Sequence, residues 1–315
     1  MSPITVESFH SKANPAQSVS YVHLNQGAPN TLVYCYGAGG DSRLMGLFEP
    51  FLQSHPDLSL ICIDRWVQGK DAARIGLALL AELSAIALEL LDTLNIDQFS
   101  IAAHSAGAYP MLDLARYAPP GRVGNVFPLC THIPAAYTGS RIMESMCTMP
   151  GFMFKVVTKL DSGSTPKWLE DLLVGLMTKK AGGVKEEGGL VISGERKKLV
   201  LEKMKDDVQG EQLWSERMDL DYRLGYERVE GITREILTGL YRDCPIDITW
   251  FTAEGEVFFG LESARRISEE MKAKTEIVDV SGATHADIML WTQVWDSMYS
   301  KIVHETETEA GNVLV

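Results

Sequence analysis

No two of the five cysteines form a CxxC pair: Cys35, Cys62, Cys130, Cys147 and Cys244 are scattered and odd in number. Neither a disulfide framework nor a zinc site is therefore expected, and a reducing, cytoplasmic compartment is. Basic residues are in deficit. With 29 Lys and Arg against 42 Asp and Glu, the net charge is −13. That charge repels phosphate backbones and anionic lipid heads, so nucleic acid and membrane are not expected partners. The first residues lack a basic segment followed by an apolar one, and so do not read as a secretory leader. The greasiest stretch, 75–94, is interrupted by Glu82, Glu89 and Asp92, too polar for a membrane span. His10, His23, His55, His104, His132 and His304 show no metal-ligand spacing. Neither GxGxxG nor GxxxxGK[ST] occurs, and there is no internal repeat. No metal and no cofactor are expected.

What the chain does contain is an alternation of strand-like and helical runs. Hydrophobic residues make up 45% of its 315 positions, enough for a full globular core. Short apolar runs at 19–24, 31–35, 58–63, 99–103 and 123–130 predict strands. Runs near 44–53, 72–94 and 106–117 predict helices between them. Such alternation gives an α/β architecture, a mostly parallel sheet with helices on both faces. The pattern stops between 135 and 241, where helical runs replace strands. Thr165-Pro166-Lys167-Trp168 reads as a helix start, Gly182-Gly183 and Gly188-Gly189 bracket a loop, and 197–207 is a charged, solvated helix face. Strands resume at 246–252 and 275–280, with helices at 261–274 and 286–303. On the last, Ile288, Trp291, Trp295, Met298 and Ile302 form one stripe that reads as core. The tail from Glu305 is polar and expected to fray.

One segment carries chemistry. In Ala103-His104-Ser105-Ala106-Gly107 a serine sits where a strand gives way to a helix, between small residues that permit a very tight turn. The helix that follows aims its first N–H groups and positive dipole end at any oxyanion formed beside the hydroxyl. A serine nucleophile needs a base and an acid that orients the base. His285, on the loop Ser281-Gly282-Ala283-Thr284-His285 after the last strand, is the candidate base. Glu256, beyond the preceding strand in Thr252-Ala253-Glu254-Gly255-Glu256, is the candidate acid. Glu254 is its close rival, and Asp247 a weaker one inside the strand. Oxyanion donors are expected from the Ala106 N–H and from the loop Tyr36-Gly37-Ala38-Gly39-Gly40, with Ala38 as second donor. A plain turn is the alternative for that loop.

Taken together these segments resemble the α/β-hydrolase superfamily. The elbow is similar to its Gly-His-Ser-x-Gly, Tyr36-Gly37-Ala38 to its His-Gly-x loop, and Asp64-Arg65 to the start of its Asp-Arg-x-Gly-x-Gly. Four departures stand out. Ala103 replaces the first elbow glycine, Tyr36 replaces the loop histidine, and Trp66-Val67-Gln68 abandons the glycine pattern, so that this loop is expected to shape a pocket. The acid is glutamate where the family usually has aspartate. The resemblance implies the α/β-hydrolase fold, with a core of 1–134 and 242–315 and an inserted helical cap at 135–241. In style the chain is also similar to hydrolase-like proteins of fungal secondary-metabolite clusters.

Five of thirteen methionines, Met143, Met146, Met149, Met153 and Met177, fall in the first half of the implied cap with Phe152, Phe154 and Trp168. They either line an apolar pocket or pack the cap on itself. Tyr36, Gly37, His104, Trp66, Met149 and Phe152 are the pocket candidates. The expected activity is cleavage of an ester, thioester or related acyl bond of a sizeable apolar small molecule. A C–C bond-acting or cyclising enzyme of the same fold and a hydrolase-derived ligand-binding protein are the alternatives.

Overall fold

The computed structural model describes residues 4–65, 76–155, 210–254, 256 and 259–312. Among them, eight strands build one sheet. They are β1 (Glu7–His10), β2 (Ser18–Leu24), β3 (Asn30–Cys35), β4 (Leu58–Ile63), β5 (Phe99–His104), β6 (Val123–Leu129), β7 (Ile248–Ala253) and β8 (Thr275–Val280). The spatial order is β1-β2-β4-β3-β5-β6-β7-β8. β1 and β2 pair antiparallel, as do β2 and β4, and every later pairing is parallel. β5, which leads to Ser105, lies in the interior of the sheet between β3 and β6, with all six of its residues buried.

Among the described residues the α-helices are α1 (Glu49–Ser54), α2 (Leu77–Thr93), α3 (Ala108–Tyr117), α4 (Ala135–Thr138), α5 (Arg141–Thr148), α6 (Gly210–Gly225), α7 (Arg234–Arg242), α8 (Leu261–Ser268) and α9 (Thr292–Asn312). Successive strand residues point to opposite faces, so the sheet needs cover on both. Val33, Ile61, Ile101 and Ala103 meet the α2 and α3 side chains Leu80, Leu91, Met111 and Leu112. Leu32, Tyr34, Leu60 and Ala102 meet Phe48, Phe51, Trp295 and Met298 on the other face. The expected aromatic stripe of the last helix is thus core.

Several boundaries differ from the sequence expectation, each for a local reason. β1 is a short edge strand without apolar alternation and takes its order from pairing with β2. The helix expected near 44–53 divides into a 3₁₀ turn, Ser42–Phe48, and α1, because Pro50 has no N–H to continue the ladder. α8 stops at Ser268, one residue past its last fully buried apolar side chain, Ile267. The polar tail expected to fray instead continues α9 to Asn312.

Within the implied cap, described residues share the core of the sheet. Leu220 and Leu224 of α6 and Leu237 and Leu240 of α7 belong to the same apolar cluster as α3. Tyr241 stacks on Trp250 of β7 at 5.6 Å between centroids. Trp66, Trp168, Met177, both glycine pairs and the charged run 197–207 lie outside the described residues. Among the described residues, no helix is long and apolar enough to cross a membrane.

Trp295 ties the second face together. Its rings approach Phe48 at 4.4 Å, Phe51 at 5.3 Å and Tyr34 at 6.2 Å, and its Nε1 donates to Met289 O at 2.7 Å. Trp295→Ala removes all of these and leaves a cavity. Urea denaturation is expected to show a loss of about 3–5 kcal/mol.

Candidate active site

At the end of β5 the chain reverses direction at Ser105, whose φ of +51° is left-handed. A side chain there costs about 1–3 kcal/mol, so its surroundings must impose it. Two contacts do. The Ser105 carbonyl accepts from His132 N at 2.9 Å, fastening the turn to the segment after β6. Gly107 lies so close to the end of β3 that a Cβ on it would stand 2.2 Å from Cys35 O and 2.8 Å from Tyr36 O. Only glycine fits. From this turn a 3₁₀ segment, Ser105–Gly107, runs straight into α3, leaving the Ala106 N–H among the unpaired donors of a helix start.

The Ser105 hydroxyl faces the loop after β8. Its Oγ is 3.0 Å from His285 Nε2, and His285 Nδ1 is 2.5 Å from Glu256 Oε2. The imidazole is 36% exposed and the Glu256 side chain 2% exposed, so a buried carboxylate backs a ring that opens outward. Glu256 Oε1 also accepts from Phe259 N at 3.3 Å. Glu254 points elsewhere. It accepts from Ser281 Oγ at 2.7 Å and Gly282 N at 3.1 Å, bracing the loop that carries His285. Asp247 accepts from Lys274 N at the opposite end of β7.

His104 is buried, and its Nε2 donates to the His285 carbonyl at 2.7 Å. Burial, and then the neighbouring His285, lower its pKa to about 3, so the ring is a neutral strut. Gly37 packs against it: a Cβ there would lie 2.8 Å from His104 Nδ1. The pocket expectations fare unevenly. Tyr36 turns inward, fully buried, with the Arg65 guanidinium 4.1 Å over its ring and its hydroxyl accepting from Arg65 N at 2.8 Å. Phe152 is 72% exposed while Phe154 is buried, because two positions along a helix lie on opposite sides. Met149 is half-buried against the apolar core, and Trp66 lies outside the described residues.

Sequence reasoning missed four features. Cys130 carries a left-handed φ of +41° at the end of β6, and its thiol is pushed up by burial and by Glu256. Its Sγ, a Glu256 oxygen and a His285 nitrogen lie within 4.8 Å of one another, a metal-type donor set in which the last two are already in contact with each other. His132 is buried among Tyr109, Tyr226 and Phe259, and burial brings its pKa to about 3. Arg65 and Asp221 form a buried ion pair of 2.8 Å, with side chains 4% and 2% exposed. Finally, Asp64 accepts from Ser42 N at 2.7 Å and Ser42 Oγ at 3.2 Å beneath the glycine loop. Of these, only the Asp64-Arg65 pair carried a signal in the sequence.

No family model matches the chain, and no curated protein matches it in sequence. Solved structures do match. Carboxylesterase CesB from Bacillus subtilis superposes with a TM-score of 0.57 at 12% identity, over 96% of this chain and 92% of its own. The chain has the α/β-hydrolase fold. The 2-hydroxy-6-oxo-6-phenylhexa-2,4-dienoate hydrolase of Rhodococcus sp. strain RHA1 shares it, at TM-score 0.56 and 15% identity over 97% and 99% of the two chains. So does esterase RhEst1 from Rhodococcus sp. ECU1013, at 0.56 and 13% over 94% and 98%. In this α/β-hydrolase fold Ser105, His285 and Glu256 gather at the C-terminal ends of β5, β8 and β7.

Two stability measurements probe this geometry. Gly107→Ala forces a methyl into the Cys35 carbonyl and is expected to lower unfolding free energy by ~1–3 kcal/mol or more. Asp64, pushed up from 3.8 to about 6 by burial and then by Asp41, holds its proton more tightly folded than unfolded. Folding stability therefore falls as pH rises from 3.8 to about 6, and the loss persists above that window. Asp64→Asn removes the dependence. Urea titrations on either side of the window are expected to show the variant gaining ~2–3 kcal/mol on wild type from the acid to the alkaline side.

Proposed function

We propose that the protein is a serine hydrolase that cleaves an ester, thioester or related acyl bond of a sizeable apolar small molecule. The observation that carries this reading is the continuous run of contacts from Ser105 Oγ through His285 to Glu256, at 3.0 and 2.5 Å, on a strained turn. Ser105 attacks the carbonyl carbon while its proton passes to His285 Nε2. The Nδ1–H stays on the ring and is donated to the Glu256 carboxylate, which stabilises the imidazolium. Negative charge gathers on the carbonyl oxygen, where the N–H groups of Ala106 and Ala38 receive it. His285 then returns the proton to the departing oxygen or sulfur, leaving an acyl-Ser105. Water, deprotonated by His285, attacks the acyl carbon, and the proton goes back to Ser105 as the acid leaves.

Two structural neighbours are named as esterases, which agrees with this reading. The preference for an apolar acyl or leaving group is supported by the side chains packed around the base: the Phe259 ring lies 5.7 Å from the His285 imidazole and packs on His132, which in turn meets Tyr226. All five cysteines are unpaired thiols, which fits a reducing compartment.

Steady-state turnover of p-nitrophenyl esters of increasing chain length tests the proposal. Longer acyl chains are expected to give higher kcat/KM than acetate. Ser105→Ala should lose at least ~10⁴-fold in kcat, and Glu256→Gln ~10³–10⁴-fold, both with little change in KM. Unimpaired turnover by Ser105→Ala would remove the serine mechanism.

A further inference from the structure

The buried pair Arg65–Asp221 sits behind the glycine loop. Arg65, at the end of β4, reaches three groups with its guanidinium. It donates to the Tyr36 carbonyl, to the Gly37 carbonyl at 3.1 Å and to Asp221 Oδ2 at 2.8 Å. The same Asp221 oxygen accepts from Gly39 N at 3.1 Å. Asp221 lies on α6, far away in sequence.

These bonds fall on three consecutive peptide planes, Tyr36–Gly37, Gly37–Ala38 and Ala38–Gly39. In a trans peptide the C=O and the N–H point in opposite directions, so fixing one aims the other. Arg65 holds the carbonyl of the Gly37–Ala38 peptide, whose N–H belongs to Ala38. Asp221 holds the N–H of the Ala38–Gly39 peptide. Both planes flanking Ala38 are thereby locked from behind. An arginine is needed because only its planar fork can serve two carbonyls and a carboxylate together. The carboxylate is needed in turn because an unpaired buried guanidinium would be strongly unfavourable.

We propose that Arg65 and Asp221 are positioning residues that aim the Ala38 N–H into the oxyanion hole, so that a helix of the implied cap region sets how well the site stabilises the transition state. This rests on Ala38 acting as an oxyanion donor, as in the mechanism above. One turn earlier on α6, Arg217 meets Asp41 at 3.3 Å. That contact also docks the helix but touches neither peptide beside Ala38, and so provides an internal control.

The test uses the full chain and four variants: Asp221→Asn, Asp221→Glu, Arg65→Lys and Arg217→Ala. Three quantities are read for each: ester kcat and KM, the affinity of an alkyl trifluoromethyl ketone, and the melting temperature. The ketone forms a hemiketal oxyanion with the serine and so reports directly on the hole. Asp221→Asn and Arg65→Lys are expected to lose ~10–100-fold in kcat with KM within about threefold, and to bind the ketone more weakly by the same factor as kcat/KM falls. Arg217→Ala is expected to lower the melting temperature while kcat stays within about twofold. Asp221→Glu keeps the charge on Arg65 but shifts the carboxylate, and carries the test if the Asn variant does not fold; its expected loss is intermediate. Unchanged kcat and ketone affinity in folded Asp221 variants would overturn the proposal. So would an equal loss in Arg217→Ala, which would mean that helix docking alone is responsible. Wild type that neither turns over esters nor binds the ketone would remove the hydrolase reading itself, and this inference with it.

Discussion

Between β5 and α3 the chain has to turn within a single residue, and the left-handed backbone at Ser105 is what allows it. That conformation is held from outside. The backbone of β3 presses on Gly107 from one side and His132 N fixes the Ser105 carbonyl from the other. Because β3, β5 and β6 are parallel neighbours buried on both faces, these contacts cannot relax independently of the sheet. The hydroxyl therefore projects from the sheet's edge in one direction, and His285 and Glu256 are placed relative to it by the ends of β8 and β7.

Around this point the polar groups are divided between charge that is neutralised and charge that is kept. His104 and His132 are buried deeply enough to stay neutral, so they serve as struts and packing surfaces next to His285 without competing for its proton. Glu256, equally buried, has the imidazole Nδ1 as a short-range partner and the Phe259 N–H as a second. Arg65 is the one deeply buried cation behind the glycine loop for which an ion pair is described. Burial works against its charge, and Asp221 and Tyr36 more than offset that, leaving the guanidinium pKa above its ordinary value. The same low-polarity surroundings that make these groups hard to bury make their remaining interactions strong.

Much of the fold was legible from local pattern. Short apolar runs located β2 through β8 to within a few positions, and the small residues about Ser105 marked the turn because sterics demand them there. Ser105, Glu256 and His285 were each expected just beyond a strand, and the fold brings those three strand ends together. What could not be read depended on phase or distance. Phe152 and Phe154 are equally apolar, and only the rotation of their helix decides which is exposed. Asp221 looks like a surface charge on a polar helix until the fold carries it to Arg65. Cys130 gave no sign of nearness to Glu256, since that contact exists only once β6 and β7 pair. β1 has no alternation to detect and is defined by its partner strand.

The proposed hydrolysis requires one activated hydroxyl, at Ser105. Peptide-level mass spectrometry after brief exposure to a long-chain fluorophosphonate reads this directly, since the reagent bonds only to a serine with a base and an oxyanion hole in place. A single stoichiometric adduct is expected on the peptide spanning Ala102–Tyr109, with the phosphorus on Ser105. An intact protein of unchanged mass, or an adduct on any other serine, would contradict it.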